Sequence, residues 1–340
     1  MDASKFYIGG GKTDVLKFAM CFLIVVLHTT SIDIISPVLR CAVPVFFMIS
    51  SYFFYKKYDN AEKTEDKKTI LFRYIKRNMQ LYLFWLIVLL PFTVIYRGWY
   101  EGDVISIALQ ILKYFLFSST FPVSWYIMAS IIGVCAITIL SRYINNGILF
   151  IISLLAYAFC CAASNYGNLL TGGTVGHIYS GYVEIFTSPY NSFPVSLVWI
   201  QLGRFIASRE NELSRLRVST LLVALSVAFV LLYIEYYLTR HYELVRADDC
   251  YFMLLPVCVI IILILGRYQS ELPIIPFFRK TSTIVFCIHL SICLVFRFAL
   301  KSLGIQSEMI VFFATLAVSM SLSYLIIKLE PKVKILRYSY

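Results

Sequence analysis

The chain has 340 residues, 60% hydrophobic and 14% charged, with a net charge of +11. Soluble domains carry about 25% charged residues, so composition excludes a water-soluble globule and requires lipid to cover the apolar surface. The positive balance comes without any basic, aromatic-interleaved segment, which points to the loops of a membrane protein and away from nucleic acid.

A spanning helix needs about 20 mostly apolar residues. In chain order the runs that meet this are 14–32, 37–56, 77–96, 123–141, 147–164, 191–208, 218–238, 250–267, 281–300 and 308–328. Residues 104–117 are apolar but short for a span, and are predicted to form an interfacial or re-entrant helix. The expectation is an all-α polytopic membrane protein with about ten spans. It would be a single domain over residues 1–340 with both termini cytoplasmic. The first run follows only Lys5 and Lys12 and leads into His28 instead of a small-residue cleavage site, so it reads as a retained helix. With this topology the Lys and Arg residues gather in inner segments, above all between the second and third spans. Outer segments hold only Arg97, Lys113, Arg240, Arg246 and Lys301. An eleventh span through 104–117 would invert the later loops and lose this positive-inside bias.

Ionisable groups in a bilayer are costly and usually functional. The first span carries Asp14, Lys17 and His28. Lys17 and His28 are eleven residues apart, about three turns, so they share a face with about 16 Å of rise between them. Asp14 lies one turn before Lys17, within pairing reach. An imidazole at that depth suits a general base or a hydrogen bond to a neighbouring helix. Arg40 opens the second span on the outer side, and Pro44 should loosen that helix. The inner loop 56–77 ends in Arg73, Lys76 and Arg77, cations that suit phosphates, anionic lipid or topology alone. Trp125-Tyr126 opens the fourth span. His289 follows Ser282 in the ninth, while His177 and His241 fall in outer loops. Gly9-Gly10-Gly11-Lys12-Thr13 echoes a phosphate-binding loop, but Phe6 stands where the motif needs its first glycine. Nine cysteines show no metal-ligand spacing and read as small buried hydrophobes, so no metal is expected.

Taken in order, these residues resemble the acyltransferase-3 family of membrane acyltransferases. Lys17 and His28 match its basic-X10-His spacing. Arg40, Pro44, Phe46, Phe47 and Ser50 match its Arg…Pro-x-Phe-Phe…Ser-Gly stretch, with Ser51 in place of the glycine. Arg73 and Arg77 approximate its Arg-x-x-Arg. Trp125-Tyr126 resembles its Trp-aromatic signature, and Ser282…His289 its late Ser…Tyr-x-His, with Phe286-Cys287 near the usual tyrosine. The resemblance implies an acyl-coenzyme A donor, most simply acetyl-coenzyme A, held at the cytoplasmic side by Lys17, Arg73, Lys76 and Arg77. It implies His28 as general base, with Arg40 as a catalytic cation. The acceptor would be a hydroxyl of a cell-surface or lipid-linked glycan, contacted by Trp125, Tyr126, Glu235 and His289. Asp33, Glu184 and Glu235 are candidates to orient His28. The expected location is a bacterial cytoplasmic membrane. A transporter or flippase of an anionic lipid or glycan is the alternative that ten helices with intramembrane cations also permit.

Overall fold

The computed structural model describes residues 6–99, 101–268 and 272–340, so the cation Lys5 lies outside the described residues. Every regular element among them is helical. The first helix, α1 (Gly11–Thr29), leads through a short turn to α2 (Ser36–Leu39) and α3 (Ala42–Tyr58). The break between α2 and α3 falls at Arg40–Cys41 for a local reason. Pro44 has no N–H for the carbonyl four residues earlier, which is that of Arg40, and its ring crowds that oxygen.

The next helix, α4 (Thr64–Val88), starts well before the apolar run. The expected loop 56–77 is therefore helical from Thr64 onward. Glu65 and Asp66 lie in its first turn, where the helix dipole favours them, and Ile70, Leu71, Tyr74 and Ile75 pack on the core. The helix then bends by 72° into α5 (Leu90–Arg97), because Pro91 cannot continue the hydrogen-bond ladder. Residues 104–117 do form a helix, α6 (Val104–Phe117). Its N-terminus is capped by the Asp103 carboxylate, which accepts from the N–H groups of Ile105 and Ser106 at 3.0 Å each.

After α7 (Trp125–Leu140) and α8 (Asn146–Ala163) comes α9 (Gly173–Phe186), a helix that no apolar run announced. The chain continues through α10 (Phe193–Ser208), α11 (Glu210–Leu213), α12 (Val218–His241), α13 (Leu254–Arg267), α14 (Pro276–Ser302) and α15 (Glu308–Leu329). Each of the ten apolar runs thus contains a helix.

This is a multi-pass membrane protein. Residues 33–58, α8, α12, α14 and α15 are each long and apolar enough to cross a bilayer. The bent α4–α5 pair makes a sixth candidate, and α6, α7, α10 and α13 are shorter apolar helices. Outward-facing side chains agree: α12 exposes Val223, Val227, Val230 and Ile234 along one stripe, a surface costly in water and neutral in hydrocarbon.

The centre is α10, which packs on α3, α7 and α8. Without a hydrophobic drive between helices in lipid, small residues set how closely they approach. A Cβ at Gly203 would fall 2.0 Å from the Ser51 Oγ and 2.6 Å from the Met48 carbonyl, and one at Gly133 would fall 2.4 Å from the Ser196 Oγ. Ser51 fills the position where a glycine was expected, and Gly203 opposite supplies the space. On the other side, α1 packs on α3, α14 and α15.

Candidate active site

The ion pair expected within α1 does not form among the described residues. The Asp14 carboxylate instead accepts the backbone N–H of Ile275 at 2.9 Å, at the start of α14. Pro276 opens that helix and its first N–H groups have no partner within it, so a carboxylate there satisfies a donor and complements the dipole. Lys17 forms no ion pair with any described residue.

Lys17 faces a cavity of about 170 Å³ shared with Phe46 and Ser50 of α3, Tyr126 of α7, Ser282 and Phe286 of α14, and Tyr340. The α4 wall is Tyr74, Arg77, Asn78 and Leu81, spaced i, i+3, i+4, i+7 along one helical stripe. Neither Lys17 nor Arg77 makes a hydrogen bond or ion pair with any described residue. Two unpaired cations on one cavity form a site for an anion such as phosphate. Arg73 and Lys76 do not line it; all three basic residues, Arg77 included, are exposed. Arg73 lies one turn before Arg77, beside the stripe, whereas Lys76 points from the opposite face, at about 100° per residue. A larger cavity, about 450 Å³, borders Asp59, Arg204 and Arg209. There the arginines are already paired, Arg204 with Asp59 at 2.9 Å and Arg209 with Glu212 at 2.6 Å.

A third cavity, about 50 Å³, lies beyond the first and is lined in part by Leu27, Arg40, Phe47, Trp125, Asp249 and Cys250. Arg40 Nη1 donates to Asp249 Oδ1 at 2.6 Å, and its Nε is buried without a partner. The neighbouring Asp248 accepts from the Ser36 hydroxyl at 2.6 Å, from Arg240 Nη2 at 3.1 Å and from the Tyr251 hydroxyl. Burial alone would raise the Asp248 carboxyl. Hydrogen bonds from Arg240, Ser36 and Tyr251, with Arg40 nearby, outweigh it and hold the group at about 2. The loop between α12 and α13 is thus fixed against α2 and the end of α8.

His28 and His289 line neither the first nor the third cavity; their ring centroids lie 5.3 Å apart, with Leu27, beside His28 in the chain, on the third cavity and Phe286, 6.2 Å from His289, on the first. His289 is fully buried. Arg297 Nη2 donates to the His28 carbonyl at 2.9 Å, securing the end of α1. Among the described residues no carboxylate bonds the His28 ring. Of the three candidates, Asp33 and Glu184 are exposed. Glu235 is committed elsewhere: its oxygens accept from Phe252 N at 2.7 Å, Met253 N at 2.8 Å and the Tyr166 hydroxyl at 2.9 Å, capping the start of α13.

The structure therefore brings Lys17, Arg77 and Tyr126 to one cavity, Arg40 and Trp125 to another, and His28 beside His289. Sequence reading missed Asp249, Tyr74, Asn78 and Tyr340. The Tyr74–Leu81 stripe was visible as a helical period, had the segment been read as helix. The Gly9–Gly11 run serves contact with the chain before α14: Gly11 N donates to the Leu272 carbonyl at 3.1 Å, and Lys12 Nζ to the Tyr268 carbonyl at 2.6 Å.

A family model described as an acyltransferase domain, of the acyltransferase-3 type, matches residues 12–328. Two curated proteins of Enterococcus faecalis, both named amino-acid racemase, are similar. One is 25% identical over 345 residues, 94% of this chain and 46% of the relative. The other is 25% identical over 346 residues, 95% and 46% respectively. The chain spans about half the length of these relatives. No solved structure matches it.

Proposed function

This chain belongs to the acyltransferase-3 family of membrane acyltransferase domains, and we propose that it moves an acyl group from cytoplasmic acyl-coenzyme A to a hydroxyl acceptor reached from the outer side. The observation that carries this is the pair of cations on one cavity, Lys17 and Arg77, neither paired with a described residue, together with the adjacent rings of His28 and His289. Phosphates of the donor suit Lys17 and the planar fork of Arg77, with the thioester arm reaching toward His28.

His28 takes the proton of the acceptor hydroxyl as general base. The oxygen then attacks the thioester carbonyl, and the tetrahedral intermediate expels the thiolate, which recovers a proton. Arg40 has a buried Nε–H with no partner, a donor suited to the developing oxyanion. The acceptor in this reading is a sugar hydroxyl of a surface or lipid-linked glycan, and the membrane is the cell membrane. Purified protein in nanodiscs, given acetyl-coenzyme A and membrane glycolipids, should release free thiol. Absence of both transfer and thioester hydrolysis with every short-chain donor would overturn the proposal.

A second reading has two observations behind it. The helix breaks at Arg40 and at α4–α5 are devices that transporters use to expose backbone at mid-membrane, and the relatives' name points to an amino acid. Gradient-driven accumulation of an amino acid in vesicles, without covalent product, would favour it. Against it, both breaks fall in the first part of the chain instead of in matched halves.

A further inference from the structure

The Lys17–Arg77 cavity, named inner for the proposed donor side, and the Arg40–Asp249 cavity, named outer, are each bordered by aromatic rings contributed pairwise by adjacent residues. On α3, Phe46 lines the inner cavity and Phe47 the outer. On α7, Tyr126 lines the inner and Trp125 the outer. Successive helical residues diverge by about 100°, so each pair presents one ring to either side. Phe286 of α14 completes the inner layer. Its ring lies 5.2 Å from Tyr126 and 6.2 Å from Phe46, and Phe46 and Tyr126 are 6.3 Å apart. Phe47 joins the layers at 4.5 Å from Tyr126. The inner layer also borders the histidines, with Phe286 6.2 Å from His289.

The position of the α7 rings is fixed at a cost. Val123, two residues before Trp125, has φ 63°, a conformation that a β-branched residue rarely adopts and that persists only when surroundings enforce it.

Resting on the acyl-donor reading above, we infer that the Phe46–Tyr126–Phe286 layer is the acyl-size selector of this site, admitting acetyl or propionyl donors and refusing long acyl chains. In this reading a thioester coming from the Lys17–Arg77 cavity passes this layer on its way to His28, since Phe286 of the layer neighbours His289 and His289 neighbours His28. The rings are in mutual contact, and a closely packed cluster takes additional methylenes only by shifting rotamers and backbone. Discrimination of this kind runs at about 10–200-fold per methylene in a tight apolar pocket, so a chain of several extra carbons is excluded by size alone. Removing the Phe286 ring opens the layer beside the histidines. Trimming Phe46 opens it on the α3 side.

The test is kcat/KM for acetyl-, butyryl- and octanoyl-coenzyme A with the intact protein, Phe286→Ala and Phe46→Leu in nanodiscs. The octanoyl-to-acetyl ratio is the readout, because a ratio is insensitive to the fraction of folded protein. The intact protein should prefer acetyl over octanoyl by at least about 10²-fold, and at least one variant should raise the ratio about tenfold or more. Equal use of the three donors by the intact protein, or an unchanged ratio in both variants, would overturn the inference while leaving the acyl-donor reading in place. No transfer or hydrolysis from any donor by the intact protein would overturn that reading and the inference with it.

Discussion

His28 on α1 and His289 on α14 lie with ring centroids 5.3 Å apart, and the two rings are not equivalent. Nδ1 of His289 lies 3.0 Å from the Val285 carbonyl and 2.9 Å from the Phe286 carbonyl. Carbonyls only accept, so Nδ1 carries the hydrogen and Nε2 is a bare acceptor. That Nε2 is buried without a partner among the described residues, beside a His28 ring that bonds no carboxylate among them. The acceptor usually supplied to a catalytic histidine by Asp or Glu is here available from a second histidine.

On the proposal that His28 is the base, His289 would position the His28 N–H, through ring adjustment or one bridging water. His289→Phe should lower kcat by about 10–100-fold, as loss of orienting partners does at metal-bound histidines, with little change in donor affinity. His289→Gln, which keeps an acceptor, should recover part of the loss. Equal kcat for both variants would remove the acceptor role.

For the inner cavity, Arg77→Ala should weaken coenzyme A binding by about 1.5–3 kcal/mol, the worth of a charge-assisted contact. Arg77→Lys should restore only part, since the planar fork is lost. Lys76→Ala, on the opposite face of α4, should bind normally. Calorimetry on the three variants checks this, and a wild-type affinity for Arg77→Ala would mean the cation is topological.

Gly203→Ala should destabilise the α3–α10 contact by about 1–3 kcal/mol, because the new methyl would fall 2.0 Å from the Ser51 Oγ. Ser51→Gly in the same chain should relieve part of the cost, leaving the Met48 carbonyl at 2.6 Å as the residual clash. Thermal unfolding of the single and double variants in detergent measures both.

The loop between α12 and α13 should show an acid dependence. Asp248 has a folded value of about 2, below the ordinary carboxylate value of about 3.9. Its stabilisation is therefore complete above about pH 4 and lost as pH falls toward 2. Asp248→Asn should lower stability on the order of 1–2 kcal/mol at pH 7, and flatten the melting-temperature profile between pH 4 and 2 (a window set by those two values). An unaltered profile would show that the Arg240 and Ser36 contacts carry no weight.

The sequence was most legible where apolarity alone determines the outcome, as in the ten runs that became helices and in Trp125 opening α7. It was least legible where polar residues form helix through amphipathic patterning. The charged stretch from Thr64 to Arg77 hid the first half of α4, and with it Tyr74 and Asn78. The small and polar residues of Gly173–Phe186 hid α9. Partners set by tertiary structure were out of reach: Asp249 is far from Arg40 in the chain, and Asp14 turned to Ile275 because α14 offers an orphan N–H. Glu235 drew notice as an intramembrane carboxylate, yet it serves as a cap for α13.

The central claim is that His28 removes a proton from the acceptor during acyl transfer. Its most direct measurement is label transfer from radiolabelled acetyl-coenzyme A to glycolipid by the purified protein in nanodiscs, with and without His28→Ala. Transfer by the intact protein should fall on the acid side as the imidazole protonates. His28→Ala should lose about 10²–10⁴-fold, with donor binding at the Lys17–Arg77 cavity retained. Turnover by His28→Ala within about threefold of the intact protein, far above that range, would contradict it and move the base elsewhere, to His289 first.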